Sequence, residues 1–188
     1  MKLSEYLIQN APLSKDQALD IESKFSNKQC NTGEYVISEG EVCRKICYLQ
    51  EGCFSMTYER LNKTFIKDFI FKNSFASVYE SFITQEPSRY SLKAINDCRY
   101  QSISLYDLEK ASQMIPQLKM IAAKLTESAY LNVTSRMESL ITLSAEQRYL
   151  ELIKRRPNLL AEIPLYLIAS YLGITDVALS RIRKKIIS

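Results

Sequence analysis

Histidine does not occur in the 188-residue chain. Its absence removes the commonest general base and the commonest metal ligand. No Ser-His-Asp or Cys-His arrangement can exist, and a cupin-type enzyme would lack its metal ligands. Glycine is nearly as scarce, at four residues, and no G-x-x-x-x-G-K loop is present to cradle phosphates. No apolar run approaches the roughly 18–20 residues that span a bilayer. The opening MKLSEYLIQNAPLSKDQ has no long apolar core of an export signal, so the expected location is the cytoplasm. Five cysteines is an odd number, which favours reduced thiols over a disulfide framework. Carboxylates and lysines form no recognisable acid–base pair. The expectation is a protein that is not an enzyme and needs no metal or cofactor.

What is present is a charge asymmetry. The net charge is +4, but residues 148–188 carry eight Lys/Arg against three Asp/Glu, a balance of +5. Residues 1–147 carry seventeen against eighteen, a balance of −1. A basic module appended to a near-neutral one suits a polyanionic partner.

Three textures follow along the chain. To about Lys24 it reads helical, with Ser14 as N-cap before KDQALDIESKF. From Lys28 to Ser104, short segments rich in β-branched and aromatic residues (YVIS, KICYLQ, CFSMTYE, KTFIKDFIF) alternate with turns at Gly33-Glu34, Glu39-Gly40, Glu51-Gly52 and Leu61-Asn62-Lys63. That spacing predicts a sandwich or jelly-roll barrel, interrupted by FASVYESFITQEPS as a short helix and loop. From Pro116 to Leu143 there is no glycine and no further proline. Leu118, Ile121, Ala122, Leu125, Ala129, Val133, Met137 and Leu140 recur there at three- and four-residue steps. A helix of this length with an apolar stripe calls for a partner, and a two-fold dimer seam supplies one. Packing on the chain's own barrel is the alternative. Asn132 and Arg136 interrupt the stripe and are read as setting register.

The third texture starts at SAEQRYLELIKRRP, with Ser144 as N-cap, Gln147 closing a capping box and Pro157 ending the helix. Two short amphipathic segments then meet at Gly173. Leu165, Ile168, Ala169 and Leu172 share one face of the first, and Ala178, Leu179, Ile182 and Ile186 one face of the second. Gly173 permits the sharp turn between them, Thr175 can cap the second helix, and small Ala169 lets a crossing helix approach. This is the construction of a helix-turn-helix whose second helix, 175–186, enters the DNA major groove. Its outward face offers Val177, Ser180 and Arg181 to base edges, Arg181 suiting guanine O6 and N7. Arg183, Lys184, Lys185 and Thr175 suit phosphates. A solvated basic last turn favoured by the helix dipole is the bland alternative; it accounts for the charges but not for the paired stripes and the glycine.

The order of β-roll, long helix and C-terminal helix-turn-helix resembles the Crp/Fnr superfamily of bacterial transcription regulators. LSAEQRYLELIKRRPNLLAEIPLYLIASYLGITDVALSRIRKK (143–185) is especially similar to the branch common in Bacteroidetes, and TGEYVISEGEVCRKICYLQEG is similar to the first half of the family's cyclic-nucleotide-binding-type roll. The resemblance implies an α+β chain: an effector-sensing β-roll (jelly-roll, 1–105), a dimerisation helix (106–143) and a winged-helix-like helix-turn-helix domain (144–188). It implies a homodimer on a palindromic operator of double-stranded DNA, with contacts to RNA polymerase and a small-molecule effector in the roll.

Two departures qualify what is carried over. Family members that bind cyclic AMP have Gly-Glu and, further on, Arg-Ser/Thr-Ala to hold ribose and phosphate. Here Ser77-Val78 and Ser88-Arg89-Tyr90 stand in those places. Ser77, Val78, Tyr79, Ser88, Arg89 and Tyr90 thus outline the candidate effector pocket, but Val78 cannot accept a ribose hydroxyl, and cyclic AMP is not the expected effector. Another ligand, or filling of the site by Phe75, Tyr79 and Phe82, are the alternatives. On the recognition helix, Val177 replaces the glutamate of many relatives and can meet only apolar groups such as a thymine methyl, while Asp176 is read as a cap. A cysteine-based redox sensor is a further alternative. Cys43, Cys47 and Cys53 are close in sequence, with Cys98 as a fourth thiol, yet their placement suits buried core thiols better than a cluster. Thiol chemistry would need an exposed residue, Cys30 or Cys43. The last rival is a ligand- or protein-binding module with a vestigial helix-turn-helix, which would bind DNA weakly.

Overall fold

The computed structural model describes residues 1–61 and 63–187. The chain opens with α1 (Leu3–Asn10) and α2 (Lys15–Ser23). Ser14 caps α2 as the sequence indicates: its hydroxyl accepts from the Gln17 N–H at 3.2 Å and the Gln17 side-chain oxygen accepts from the Ser14 N–H at 2.9 Å. Two orphan donors of the first turn are satisfied in this reciprocal way.

Eight strands follow among the described residues: β1 (Ser26–Cys30), β2 (Tyr35–Ile37), β3 (Lys45–Glu51), β4 (Cys53–Arg60), β5 (Lys63–Phe71), β6 (Ser74–Ala76), β7 (Ser91–Ala94) and β8 (Cys98–Ser104). They form two four-stranded sheets in the orders β1-β8-β3-β6 and β2-β7-β4-β5. Crossing between sheets along the chain is what turns consecutive hairpins into a roll. In the first sheet β1 and β3 both run antiparallel to β8, with Ser26 opposite Ser102 and Ile46 opposite Ile103.

Strand alternation decides where the cores lie. On β3, Tyr48 points out of the roll and packs with Leu3, Leu7, Ile21, Ile103, Leu118 and Ile121, beneath α1 and α2. Cys47 and Leu49 take the other face, and all three residues are fully buried. Between the sheets, Phe54 of β4 and Tyr100 of β8 meet edge to face at 5.5 Å, a pairing that adds to the area term.

The helix α3 (Tyr79–Thr84) follows β6, so Phe75 and Ala76 close a strand where the sequence reading places the start of the helix–loop segment. At the β4–β5 turn Leu61 adopts φ +50°, and Asn62, part of the expected turn signal, lies outside the described residues. After β8 come α4 (Leu105–Met114) and α5 (Leu118–Thr142). They are separate because Pro116 has no N–H to continue the ladder; only α5 is the long helix. Then follow α6 (Ala145–Arg155), α7 (Leu159–Glu162), α8 (Leu165–Leu172) and α9 (Asp176–Ile187). Ser144 and Gln147 form the expected capping box at α6, with bonds of 3.3 and 2.8 Å.

The chain divides into two compact units. One comprises Met1–Met56 and Phe69–Ser128, the other Thr57–Asp68 and Ala129–Ser188. The second has its own core, in which Tyr149, Leu159, Ile163, Ile168, Ala169, Leu172 and Leu179 are buried. Among the described residues no single helix is long and apolar enough to cross a membrane.

Candidate nucleic-acid interface

The helix pair α8–α9 is built around Gly173, at φ 70°, ψ 32°. The Gly173 N–H returns to the Ser170 carbonyl at 3.1 Å and the Ile174 N–H to the Ala169 carbonyl at 3.0 Å. This six-to-one and five-to-two pattern is a Schellman motif, and its left-handed residue is the one where a side chain strains the backbone. The turn bends the chain by 98° between the helices, within the range of helix-turn-helix units. Thr175 caps α9, its hydroxyl accepting from the Ala178 N–H at 3.2 Å. Asp176, expected as a cap, is instead the first residue of the helix, where its charge still meets the dipole favourably.

Two arginines complete the turn, a role that the sequence alone assigns to neither. Three guanidinium nitrogens of Arg148 on α6 donate: two to the Leu172 carbonyl at 3.2 and 2.9 Å, one to the Leu143 carbonyl at 2.7 Å. Carbonyls at helix C-termini have no intrahelical donor, so Arg148 closes the ends of α8 and α5 together. Arg136, expected to set register along the stripe, donates to the Tyr171 carbonyl at 2.7 Å and lies over the Tyr171 ring at 3.8 Å.

The pair has an inward and an outward side. The inward side is Ile168, Ala169, Leu172 and Leu179, each at most 2% exposed. Leu165 and Ile186, at the far ends of the two apolar stripes, are exposed rather than buried. Val177, Ser180, Arg181, Lys184 and Lys185 are exposed, and Arg183 is half-buried. Arg181 makes no hydrogen bond or ion pair among the described residues. Lys185 differs: its ammonium reaches the Glu146 carboxylate of α6 at 2.7 Å. Both partners are partly solvated, so the pair is weak and can open to a phosphate.

The candidate effector residues are brought together only in part. Val78, Ser88 and Tyr90 are buried, at 0%, 4% and 2% exposure. The Ser77 hydroxyl donates to the Lys45 carbonyl at 3.1 Å, and the Ser88 hydroxyl is turned to the Tyr90 carbonyl. Arg89 is exposed and faces Glu80 at 3.7 Å. The one cation of residues 77–90 therefore points to solvent. Of the three proposed filling residues only Phe82 is buried. Phe75 instead stacks with Tyr6 and Tyr48, at 5.3 and 5.2 Å. Tyr79 is exposed, its hydroxyl 2.6 Å from that of Thr126 on α5.

All five cysteines are free and buried. The exposed thiol that redox sensing would need is thus not supplied by Cys30 or Cys43, which are 9% and 1% exposed. Burial raises the Cys30 thiol above its usual range and pushes those of Cys47 and Cys98 up to about 12, away from reactive thiolate. Among the described residues no three His, Cys, Asp or Glu side chains are grouped to hold a metal ion.

On the long helix, Leu118 and Ile121 enter the core beneath the roll. Leu125 is half-buried, and Ala122, Ala129, Val133, Met137 and Leu140 are exposed.

No family model matches the chain, and no curated protein matches it. Solved structures do. FixK2 from Bradyrhizobium japonicum superposes with a TM-score of 0.76 at 17% identity, over 86% of this chain and 84% of that one. CLP of Xanthomonas campestris, described as a c-di-GMP-responsive global regulator, gives 0.70 at 17% over 92% and 91%. The catabolite activator protein of Thermus thermophilus gives 0.56 at 15% over 96% and 86%. At such identities the likeness is one of architecture, and it spans roll, long helix and helix pair alike: the chain has the fold of the Crp/Fnr-type regulators.

Proposed function

We propose that the chain is a DNA-binding transcription regulator of the Crp/Fnr type, without enzymatic activity, acting in the cytoplasm as a homodimer on a palindromic operator. The observation that carries this reading is the outward side of α9: an exposed Arg181, without a hydrogen bond or ion pair among the described residues, beside Ser180 and Val177 on the second helix of a capped 98° turn. Arg181 reads a base edge, with Ser180 and Val177 in support. Lys184, Lys185, Arg183 and the Thr175 hydroxyl take phosphates, which set register and affinity but carry no sequence information.

The dimer seam comes from α5 beyond its buried first turn, where Val133, Met137 and Leu140 are 59%, 58% and 43% exposed. Such a row of apolar side chains in water is a cost that a second long helix removes. In the dimer, an effector of the roll acts by changing whether two recognition helices lie one DNA turn apart, about 34 Å. RNA polymerase is the expected further partner. Cyclic AMP is not the effector, because Arg89 is turned to solvent and Val78 offers no acceptor, and a buried phosphate needs a charged partner.

The test is binding of random-sequence duplex across a salt series. The native protein is expected to show log affinity falling linearly with log salt, and Lys184→Ala to lower that slope by about one phosphate contact. Absence of salt-dependent binding overturns the reading and favours a module with a vestigial helix pair.

A further inference from the structure

In the order β2-β7-β4-β5, strand β5 is an edge. Edge strands present N–H and C=O groups with no neighbouring strand to meet them, and folds cover or blunt such edges. Here a helix covers part of it. The Ile66 N–H donates to the Ser170 hydroxyl at 3.0 Å, and that hydroxyl donates to the Thr64 carbonyl at 2.8 Å. One side chain on α8 thus answers consecutive outward groups of β5, as a neighbouring strand would.

The arrangement is specific in its chemistry. A serine inside a helix usually weakens it, because its hydroxyl competes for backbone groups nearby. Ser170 spends both functions of its hydroxyl on a strand more than a hundred residues away in sequence. Beside it the Arg136 guanidinium donates to the Tyr171 carbonyl at 2.7 Å and reaches the Ile66 carbonyl at 3.4 Å, while stacking on the Tyr171 ring. Across the hairpin, the Thr64 hydroxyl donates to the Glu59 carboxylate at 2.9 Å, which ties the two strands at this level. An apolar side chain at position 170 would leave the β5 groups bare, and a lysine at 136 could not stack as a plane.

We propose that the outer edge of β5 is a clasp on α8, with Ser170 and Arg136 as positioning residues that hold α8, and through the Gly173 turn the recognition helix, in the arrangement that reads DNA. The inference rests on the DNA-binding reading of α9. It adds that the β4–β5 hairpin belongs to the DNA-binding unit, although in sequence it lies among the roll strands. The part of the hairpin that meets α8, through Thr64 and Ile66, lies in the same compact unit as the helix pair.

Amide hydrogen exchange on the full-length protein tests the clasp, with Ser170→Ala removing both bonds and Ser170→Thr restoring a hydroxyl. In the native protein the Ile66 amide is expected to be protected. In Ser170→Ala it exchanges roughly tenfold faster, and the amides of α9 lose protection several-fold, while the β1–β8 ladder is unchanged. Ser170→Thr recovers both effects, which a merely loosened helix would not show. On a selected operator, Ser170→Ala binds about tenfold more weakly and keeps its non-specific affinity. An unprotected Ile66 amide in the native protein overturns the clasp. So does release of Ile66 in Ser170→Ala with α9 protection unchanged. Failure of the native protein to bind DNA at all overturns the regulator reading instead, while the exchange results still decide whether the clasp holds α9.

Discussion

Cys98 illustrates how the residue scale fixes the chemistry. Its thiol lies in the strand end beside Gly52, where an added Cβ would come within 2.5 Å of its sulfur. That close approach, with 2% exposure, makes Cys98 a packing residue. The consequence is measurable. The thiols of Cys47 and Cys98 are pushed from 9.0 to about 12 by desolvation, and the hydroxyls of Tyr48 and Tyr100 rise from 10.0 to about 12 for the same reason. In the unfolded chain these groups deprotonate at their ordinary values, whereas the folded chain keeps them protonated. Their contribution is therefore complete below about pH 9 and is lost as pH rises through the folded values. Denaturant unfolding at pH 8 and pH 10.5 should show lower stability at the higher pH, with all five thiols slow to alkylate in the native protein at pH 8. Equal stability at the two values, or rapid alkylation of Cys47 or Cys98 in the folded chain, would contradict the assignment of these residues to the core.

At the scale of elements, α5 makes the sharpest demand. Its first turn is consumed by the core through Leu118 and Ile121, whereas Met137 and Val133 stay in water on the single chain. Met137→Glu should leave the fold of each chain intact and convert a dimer into a monomer of 21.7 kDa in sedimentation equilibrium. An unchanged dimer mass would remove α5 as the seam. The elements also show what can be read from sequence and what cannot. The N-cap at Ser14, the capping box at Ser144 and the turn at Gly173 are legible because their partners lie within a few residues, where spacing alone fixes geometry. The strands of the roll are legible from texture. Arg148, Arg136 and Ser170 are not, because their partners are carbonyls or amides brought near only by the fold. A backbone group has no sequence signature. The same limit explains Phe75 and Tyr79: their aromatic character signals burial, but strand alternation turns Phe75 toward Tyr6 and Tyr48, and Tyr79, the first residue of α3, lies exposed.

Taken whole, the molecule carries its basic excess in residues 148–188, the segment proposed to meet DNA, though not all of that charge is equally available. Of the eight cations between 148 and 188, Arg148 is spent on helix ends, whereas Lys185 is held only by a weak surface pair with Glu146. Arg181 is exposed on α9 and makes no hydrogen bond or ion pair among the described residues. The central claim is that this side reads sequence. Its most direct measurement is selection of binding sites from random double-stranded DNA with purified, ligand-free protein, run in parallel with Arg181→Ala. Sequence readout by Arg181 predicts a two-fold symmetric site that the native protein enriches and the variant loses, with salt-dependent non-specific binding retained by both, since one bidentate contact is worth about 1–3 kcal/mol of discrimination. The same symmetric site enriched equally by both proteins would contradict the role of Arg181, and no symmetric site from either would contradict the reading of the ligand-free dimer as a sequence-specific regulator.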